Sequence, residues 1–166
     1  MNRDRPSCFT NSEFVLAGEY EYYRDLKRIC PPQEWETVEH RILEQLKSSS
    51  SRSWKAQTLY THILVEEKKT ARLLEYVRSN KSEITEYYPL LIGEFADEVY
   101  SLFVDWIKIS AAHASNRKQY KKLCGTIKHL AKAGGITPAK QIVEQLLRDY
   151  PSRSALREEL NNFNLA

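Results

Sequence analysis

The sequence predicts an all-α protein of stacked antiparallel helix pairs, an α-solenoid or tetratricopeptide-like superhelical bundle. Apolar residues recur at spacings of three and four over most of the chain, and proline, glycine and serine interrupt these patterns. Only 5 Gly and 6 Pro occur among 166 residues, and no Asn-Gly or Asp-Gly hairpin signal appears, which excludes most β-folds. We therefore expect about eight or nine helices joined by short loops.

A single helical domain is predicted over residues 13–163, preceded by a flexible amino-terminal arm over residues 1–12. Hydrophobic residues make up 42% of the chain and charged residues 28%, which is typical of a globular protein. No apolar run approaches the roughly 18 residues of a membrane-spanning helix, and the amino terminus lacks the apolar segment of a signal peptide. We expect a soluble, cytoplasmic protein without membrane contact.

Prolines and serines delimit the first two predicted helices. The first runs from about Glu13 to Ile29 and is stopped by Pro31 and Pro32, because proline lacks an amide hydrogen and restricts the residue before it. The same prolines open the second helix. We interpret the serine run at residues 48–51 as a short solvated loop that ends it.

Ser53 then caps a third helix, and the charged block at residues 66–69 is interpreted as the turn to a fourth. One continuous helix over residues 53–79 is the alternative interpretation. A short segment begins at Ser82, and Pro89 is predicted to terminate it.

The helix predicted over residues 90–112 has an apolar stripe that is wide enough for a core face. The stripe extends from Phe95 to Ile109. Its members Phe95, Leu102, Phe103 and Trp106 are predicted to be core residues.

Three further helices follow the same rules. One over residues 116–133 ends at Gly134-Gly135, which supply a left-handed C-terminal cap. Thr137 is predicted to cap the next helix, with Pro138 at its first position. A last helix is predicted to run to Phe163.

The predicted helices form pairs, and three stretches of them carry a resemblance. The pairs are 53–65 with 69–79, 91–112 with 116–133, and 138–149 with 152–163. The residues of the resemblance are Leu64-Val65-Glu66-Glu67-Lys68-Lys69 with Ala71, Leu73 and Leu74; Tyr87-Tyr88-Pro89 with Phe95, Val99 and Tyr100; and Arg117, Tyr120, Leu123, Ile127 and Leu130 with Gly134-Gly135 and Leu146-Leu147-Arg148-Asp149-Tyr150-Pro151.

In order and spacing, these stretches resemble the helical carboxyl-terminal region of SWIM-type zinc-finger proteins, which is similar to tetratricopeptide arrays. The resemblance covers roughly residues 55–160. Members of that family bind zinc through a C-x-C…C-x-H motif upstream of the helices. Cys8, Cys30 and Cys124 do not form this motif. The resemblance therefore implies a helical region without its zinc module, and it transfers no zinc-binding or DNA-binding residue.

Candidate sites for chemistry are few. No nucleotide-binding glycine motif and no zinc-protease histidine spacing occurs in the sequence. His40 lies one helical turn from Glu36 and from Glu44, but a zinc site usually needs three or four convergent ligands, and we interpret the three residues as ordinary surface pairing. Cys124 falls on an apolar helix side, which is typical of a buried thiol. We predict no catalytic residue, cofactor or metal.

The helix over residues 116–133 has one basic side. On a helical wheel, its basic residues fall within about 140° and its apolar residues occupy a separate sector. The basic residues are Arg117, Lys118, Lys121, Lys122, Lys128 and Lys132, which together we call the basic face. Residues 106–143 carry eight basic side chains and no acidic one, whereas residues 1–105 have a net charge of −4. This asymmetry is the one feature of the composition that can point to a partner.

Two interpretations of the basic face remain open. It can contact an acidic protein surface or a phosphate backbone, or it can be a solvated face paired with acidic residues of neighbouring helices. We favour the solvated face, because lysine runs alone carry no base readout and no interleaved aromatic residues are visible. From the lack of site chemistry, and because stacked helix pairs create extended surfaces, we predict a non-catalytic scaffold that binds another protein. An accessory nucleic-acid-binding module with weak contacts through this helix is the alternative, and the sequence does not indicate the oligomeric state.

Overall fold

The computed structural model describes residues 20–162, and no strand occurs among them. This part of the chain holds nine α-helices and one 3₁₀ helix. In chain order they are α1 Tyr20–Ile29, α2 Pro32–Ser50, α3 Trp54–Glu66, α4 Thr70–Ser79, the 3₁₀ helix Lys81–Glu83, α5 Ile84–Leu91, α6 Ala96–His113, α7 Arg117–Lys132, α8 Ile136–Asp149 and α9 Ser154–Asn161. The all-α prediction is confirmed. None of these helices is long and apolar enough to cross a membrane.

The chain divides into two compact units, one up to Lys69 and one from Thr70 onward. Helices α1 to α3 belong to the first unit, and α4 to α9 belong to the second. The arm predicted over residues 1–12, the start of the first predicted helix and Phe163 lie outside the described residues. The single domain predicted over residues 13–163 therefore stays a prediction.

In the first unit, α3 packs along α2 and also contacts α1. The apolar residues buried between these helices are Tyr23, Leu26, Val38, Ile42, Leu43, Leu46, Leu59, Tyr60, Ile63 and Leu64. Helix α2 begins at Pro32, as predicted, because the first amide of a helix has no carbonyl partner and its loss costs nothing. The Oγ of Ser53 accepts from the amide of Ala56, which confirms the predicted cap of α3.

The loop predicted at residues 48–51 is wrong, because α2 continues to Ser50. The hydroxyl of Ser48 donates to the carbonyl of Gln45 at 2.8 Å, and that of Ser50 to the carbonyl of Lys47 at 2.7 Å. A serine that bonds a carbonyl in the preceding turn is compatible with the helical backbone. The serine run therefore forms the last turn of α2.

The turn predicted at residues 66–69 is confirmed. The backbone amides of Lys68 and Lys69 donate to carbonyls of the last turn of α3, at 3.2 and 2.8 Å. Lys68 has a φ of 52°, so that a lysine occupies the left-handed position usually taken by glycine in such a Schellman turn. This turn excludes the alternative of one continuous helix over residues 53–79.

In the second unit, α7 packs against α6, α8 and α9, and α6 also packs against α5 and α8. Helix α9 packs mainly on α7. The buried apolar residues that these contacts share include Ile84, Leu91, Val99, Leu102, Phe103, Ile107, Ala111, Tyr120, Leu123, Ile127, Leu130, Ala139, Ile142, Leu146, Leu156 and Leu160. Helix α7 thus contacts three other helices, and these contacts fix which side of α7 is left exposed.

Two predicted helix boundaries are wrong. Pro89 does not terminate α5, which continues to Leu91 because the burial of Leu91 fixes its last turn. Helix α6 begins at Ala96 and not near residue 90, since a hydrogen-bonded turn separates it from α5.

The start predicted for α8 is also wrong. Its N-cap is Gly135 and not Thr137. Pro138 therefore lies in the first turn, where a missing amide hydrogen breaks no helical bond.

The predicted core of α6 is correct for Leu102 and Phe103, which are buried. It is wrong for Phe95 and Trp106, which are only half-buried. Phe95 occupies the N-cap position, just before the first residue of the helix. Trp106 lies at the edge of the contact between α6 and α7, beside open solvent.

Ile109, the last residue of the predicted stripe, is 41% exposed, whereas Ile107 and Ala111 are fully buried. The fully buried residues of α6 are four positions apart: Val99, Phe103, Ile107 and Ala111. The buried side of the helix is therefore rotated around the helix axis relative to the predicted stripe. Two further large apolar residues, Ile29 at the end of α1 and Trp54 at the start of α3, are 61% and 72% exposed.

Candidate interaction surface

Local hydrogen bonds fix the beginning of α7. The Oδ1 of Asn116 accepts from the amide of Gln119 at 3.0 Å, and the Oε1 of Gln119 accepts from the amide of Ser115 at 2.7 Å. This reciprocal arrangement satisfies backbone donors that a helix start leaves without intrahelical partners. The helix predicted over residues 116–133 is confirmed.

The end of α7 is fixed by Gly134 and Gly135, as predicted. Their amides donate to carbonyls of the last turn at 3.0 Å each, and Gly134 has a φ of 99°. The hydroxyl of Tyr100 on α6 donates to the carbonyl of Ala133 at 3.2 Å. A Cβ atom on Gly135 would lie 2.5 Å from Cδ1 of Leu130 and 3.0 Å from Cδ1 of Tyr100. The glycine pair thus provides the left-handed turn and the close approach of α6.

The two sides of α7 differ in exposure. Of its six predicted apolar residues, five are buried, namely Tyr120, Leu123, Cys124, Ile127 and Leu130, and Ala131 is half-buried. All six residues of the basic face are exposed. Because α7 has 16 residues, the basic face extends over about 24 Å.

At the start of α7, the charges of the basic face do not stabilise the helix. Its first turn holds Arg117 and Lys118 and no acidic residue, although the amino-terminal end of a helix favours negative charge. Lys121 and Lys122 follow one turn later, and like charges four residues apart cost about 0.2–0.5 kcal/mol per pair. An external anion would remove this repulsion.

Only part of the basic face is paired with α9. The guanidinium of Arg117 contacts the carboxylate of Glu158 at 2.5 Å and that of Glu159 at 3.6 Å. The alternative of a face paired with neighbouring helices is therefore correct for Arg117.

Four other members of the basic face differ from Arg117. Lys118, Lys121, Lys122 and Lys132 form no ion pair with any carboxylate within residues 20–162. Among the described residues, these four lysines therefore present positive charge along the helix that no ion pair balances.

A small groove lies between α6 and α7, next to the basic face. Its cavity volume is about 130 Å³. The groove is lined by Trp106, Ser110, His113 and Ala114 from α6 and its end, and by Gln119, Lys122, Leu123 and Thr126 from α7. The sequence did not predict this groove, because it depends on how two helices pack.

Arg153, just before α9, fixes the loop between α6 and α7. Its Nη1 donates to the carbonyls of Ala111 and Ala114 at 2.7 and 3.1 Å, and the guanidinium lies 4.1 Å from the ring centre of Tyr150. A cation that binds the last carbonyls of a helix stabilises its negative end. Arg153 thus holds the far end of the groove, a role that no local sequence pattern signals.

The structure brings no metal site together in the part of the chain that it describes. Glu36, His40 and Glu44 are exposed on α2. Within residues 20–162, no three His, Cys, Asp or Glu side chains converge as metal ligands would.

The two described cysteines, Cys30 and Cys124, are buried, and they form no disulfide bond within residues 20–162. Burial, and then the charge of Glu159, raise the pKa of Cys124 from 9.0 to about 11, so its thiol is protonated at neutral pH. A protonated buried thiol is a poor nucleophile. Cys30 is buried as well, and Cys8 lies outside the described residues.

Comparisons with protein-family models, with curated proteins and with solved structures find no match for this chain. The resemblance to the helical region of SWIM-type zinc-finger proteins therefore stays a prediction.

Proposed function

We propose that this protein is a non-catalytic interaction module that binds an acidic surface of another protein through the basic face of α7. The observation that carries the proposal is the row of four exposed lysines that have no carboxylate partner among residues 20–162: Lys118, Lys121, Lys122 and Lys132. The packing of α7 on three helices supports a rigid surface, which reduces the entropy lost on binding.

A protein partner is favoured over a nucleic acid by what surrounds these lysines. Base stacking requires exposed aromatic side chains. Tyr120 of α7 is buried, and Trp106, which lines the groove together with Lys122, is half-buried. The groove beside the basic face offers a site for an apolar side chain, which a phosphate backbone does not have. Weak, salt-sensitive binding of nucleic acid through the same lysines is the alternative.

The same proposal includes the architecture, in which the helix pairs stack as in a tetratricopeptide-like superhelix. It also includes the family, with the chain as the helical region of a SWIM-type zinc-finger protein, and a cytoplasmic location. The packing of α6 on α7 and of α7 on α8 supports stacked pairs. The packing of α9 mainly on α7 differs from a strict succession of pairs. Extended surfaces of such arrays suit partner binding.

Affinity capture with matched variants tests the proposed function. Wild type, a variant with Lys118, Lys121 and Lys132 changed to Glu, and a control with Lys55, Lys108 and Lys140 changed to Glu are immobilised. All six lysines are exposed, and both variants change the net charge equally. Each protein is incubated with a nuclease-treated cell lysate, and the bound proteins are identified by mass spectrometry.

We expect acidic proteins that wild type and the control retain and that the basic-face variant loses, because only this variant reverses the charge of the binding surface. The same capture is repeated without nuclease. Binding that disappears on nuclease treatment would support the nucleic-acid alternative. Equal capture by both variants would contradict any specific role of the basic face.

A further inference from the structure

The groove between α6 and α7 lies at one edge of the basic face. Lys122 belongs to both, because it is a member of the basic face and lines the groove. On the wheel of α7, Lys118 is its neighbour toward the centre of the basic face, and Gln119 and Thr126 are its neighbours toward α6. An acidic segment bound to these lysines therefore passes directly over the groove.

The floor of the groove is apolar and its walls are held in place. Ala114 and Leu123 are buried at its base. The side chain of Gln119 is fixed by the amide of Ser115, and Nδ1 of His113 donates to the carbonyl of Ile109 at 2.8 Å. The groove thus exists before a ligand binds, which lowers the entropic cost of binding.

The size of the groove limits its occupant. Its volume of about 130 Å³ is close to that of a cavity of roughly 150 Å³ that binds benzene, and it is well below the ~300 Å³ of the smallest ordinary ligand pockets. One phenylalanine or leucine side chain fits. The half-buried indole of Trp106 provides an aromatic wall for it.

We infer that the groove binds one apolar side chain of an acidic partner segment, while the carboxylates around that side chain contact Lys122 and Lys118. This inference rests on the proposed function and adds specificity to it. The lysines attract any acidic chain, and the groove selects chains that carry an apolar residue between carboxylates. Charge complementarity around an apolar pocket is the arrangement of a protein-binding anchor site.

Two synthetic peptides test the inference by fluorescence anisotropy at low salt. One is a labelled oligoglutamate with a single central phenylalanine, and the other has serine in that place. Because their charges are equal, any difference in affinity comes from the central side chain. Partial burial of phenylalanine should make its peptide bind wild type about five- to tenfold more tightly.

Three variants test whether the preference for the phenylalanine peptide arises in the groove. Ser110→Leu fills the groove without removing a core residue, and it should abolish the preference for phenylalanine. Trp106→Ala removes one wall and should also reduce the preference. Ser101→Leu makes the same change at an exposed position of α6 outside the groove and should leave the preference intact. Melting curves show that each variant is folded.

The outcomes separate the two proposals. Equal binding of both peptides to wild type, or a preference that persists in Ser110→Leu, would overturn the groove inference and leave the proposed function standing. If neither peptide binds wild type, or if Lys122→Glu has no effect on the affinity of either peptide, the acidic-partner function fails together with the groove inference.

Discussion

The buried carboxylate of Glu39 forms an ion pair with Lys69 at 2.7 Å. Its other oxygen accepts from the hydroxyl of Tyr23 at 3.0 Å. Residues from α1, α2 and the end of the first unit thus meet at a single buried charge. A buried carboxylate is costly unless its oxygens are paired, so this contact constrains how the three segments pack.

Lys69→Met leaves the carboxylate of Glu39 with Tyr23 alone. We expect the free energy of unfolding to fall by about 2 kcal/mol, below the ~3–5 kcal/mol of a fully buried pair, because the Lys69 side chain is 37% exposed. Adding Glu39→Gln removes the uncompensated charge, and the double variant should be more stable than Lys69→Met alone. Urea unfolding measures both values. Strictly additive losses would contradict a coupled pair.

Tyr23→Phe tests the second bond of Glu39. Hydrogen bonds to charged groups contribute about 1.5–3 kcal/mol, and a loss of that size is expected at neutral pH. Burial, and then the charge of Glu39, raise the pKa of Tyr23 above its ordinary 10.0. Above pH 10 the unfolded chain releases this proton and the folded chain retains it, so stability falls as the pH rises. The variant should show a shallower fall, and identical slopes would refute the assignment.

Two glycines of the α7 region should respond oppositely to alanine. Gly134→Ala places a side chain at a φ of 99°, which should lower the free energy of unfolding by about 1–2 kcal/mol. Gly125 lies within α7 with open space around its Cβ position, and Gly125→Ala should raise stability by about 0.5–1 kcal/mol. Chemical denaturation of both variants gives the comparison. A gain in stability for Gly134→Ala would mean that the turn is described incorrectly.

Two aromatic residues of α6 should differ in their contribution to stability. Phe103 is fully buried, and its ring contacts the ring of Tyr88 edge-on, with 5.4 Å between the ring centres. Phe103→Ala should cost about 3–5 kcal/mol. The half-buried Trp106 lines the groove, and Trp106→Ala should cost only about 1–2 kcal/mol. If thermal unfolding shows that both variants lose the same stability, Trp106 belongs to the core, as the sequence pattern predicts.

The helix ends that were predicted correctly depend on local chemistry. Pro32 opens α2, and Gly134 closes α7, because each residue type acts on its own backbone. The side of α6 that is buried could not be predicted in the same way. Ile107 and Ile109 are equally apolar, and the positions of the helices that pack on α6 decide which of them is covered.

The candidate surface also has one part that local sequence predicts and another part that depends on tertiary packing. The basic face follows from helical periodicity, since charge and apolar residues separate on one wheel. Its pairing through Arg117 with α9 and the groove with Trp106 depend on helices that are distant in sequence. The sequence window without acidic residues singled out this helix, but no sequence signal indicated the pairing of Arg117 or the groove beside the helix.

Lysine acetylation footprinting, with the phenylalanine-containing oligoglutamate as ligand, tests the basic face most directly. Mass spectrometry compares the acetylation rates of exposed lysines with and without the peptide. We expect protection of Lys118, Lys121, Lys122 and Lys132, and unchanged rates at the control residues Lys55, Lys108 and Lys140. Protection of the control lysines to the same degree, or no protection on α7, would contradict the claim that the basic face is the binding surface.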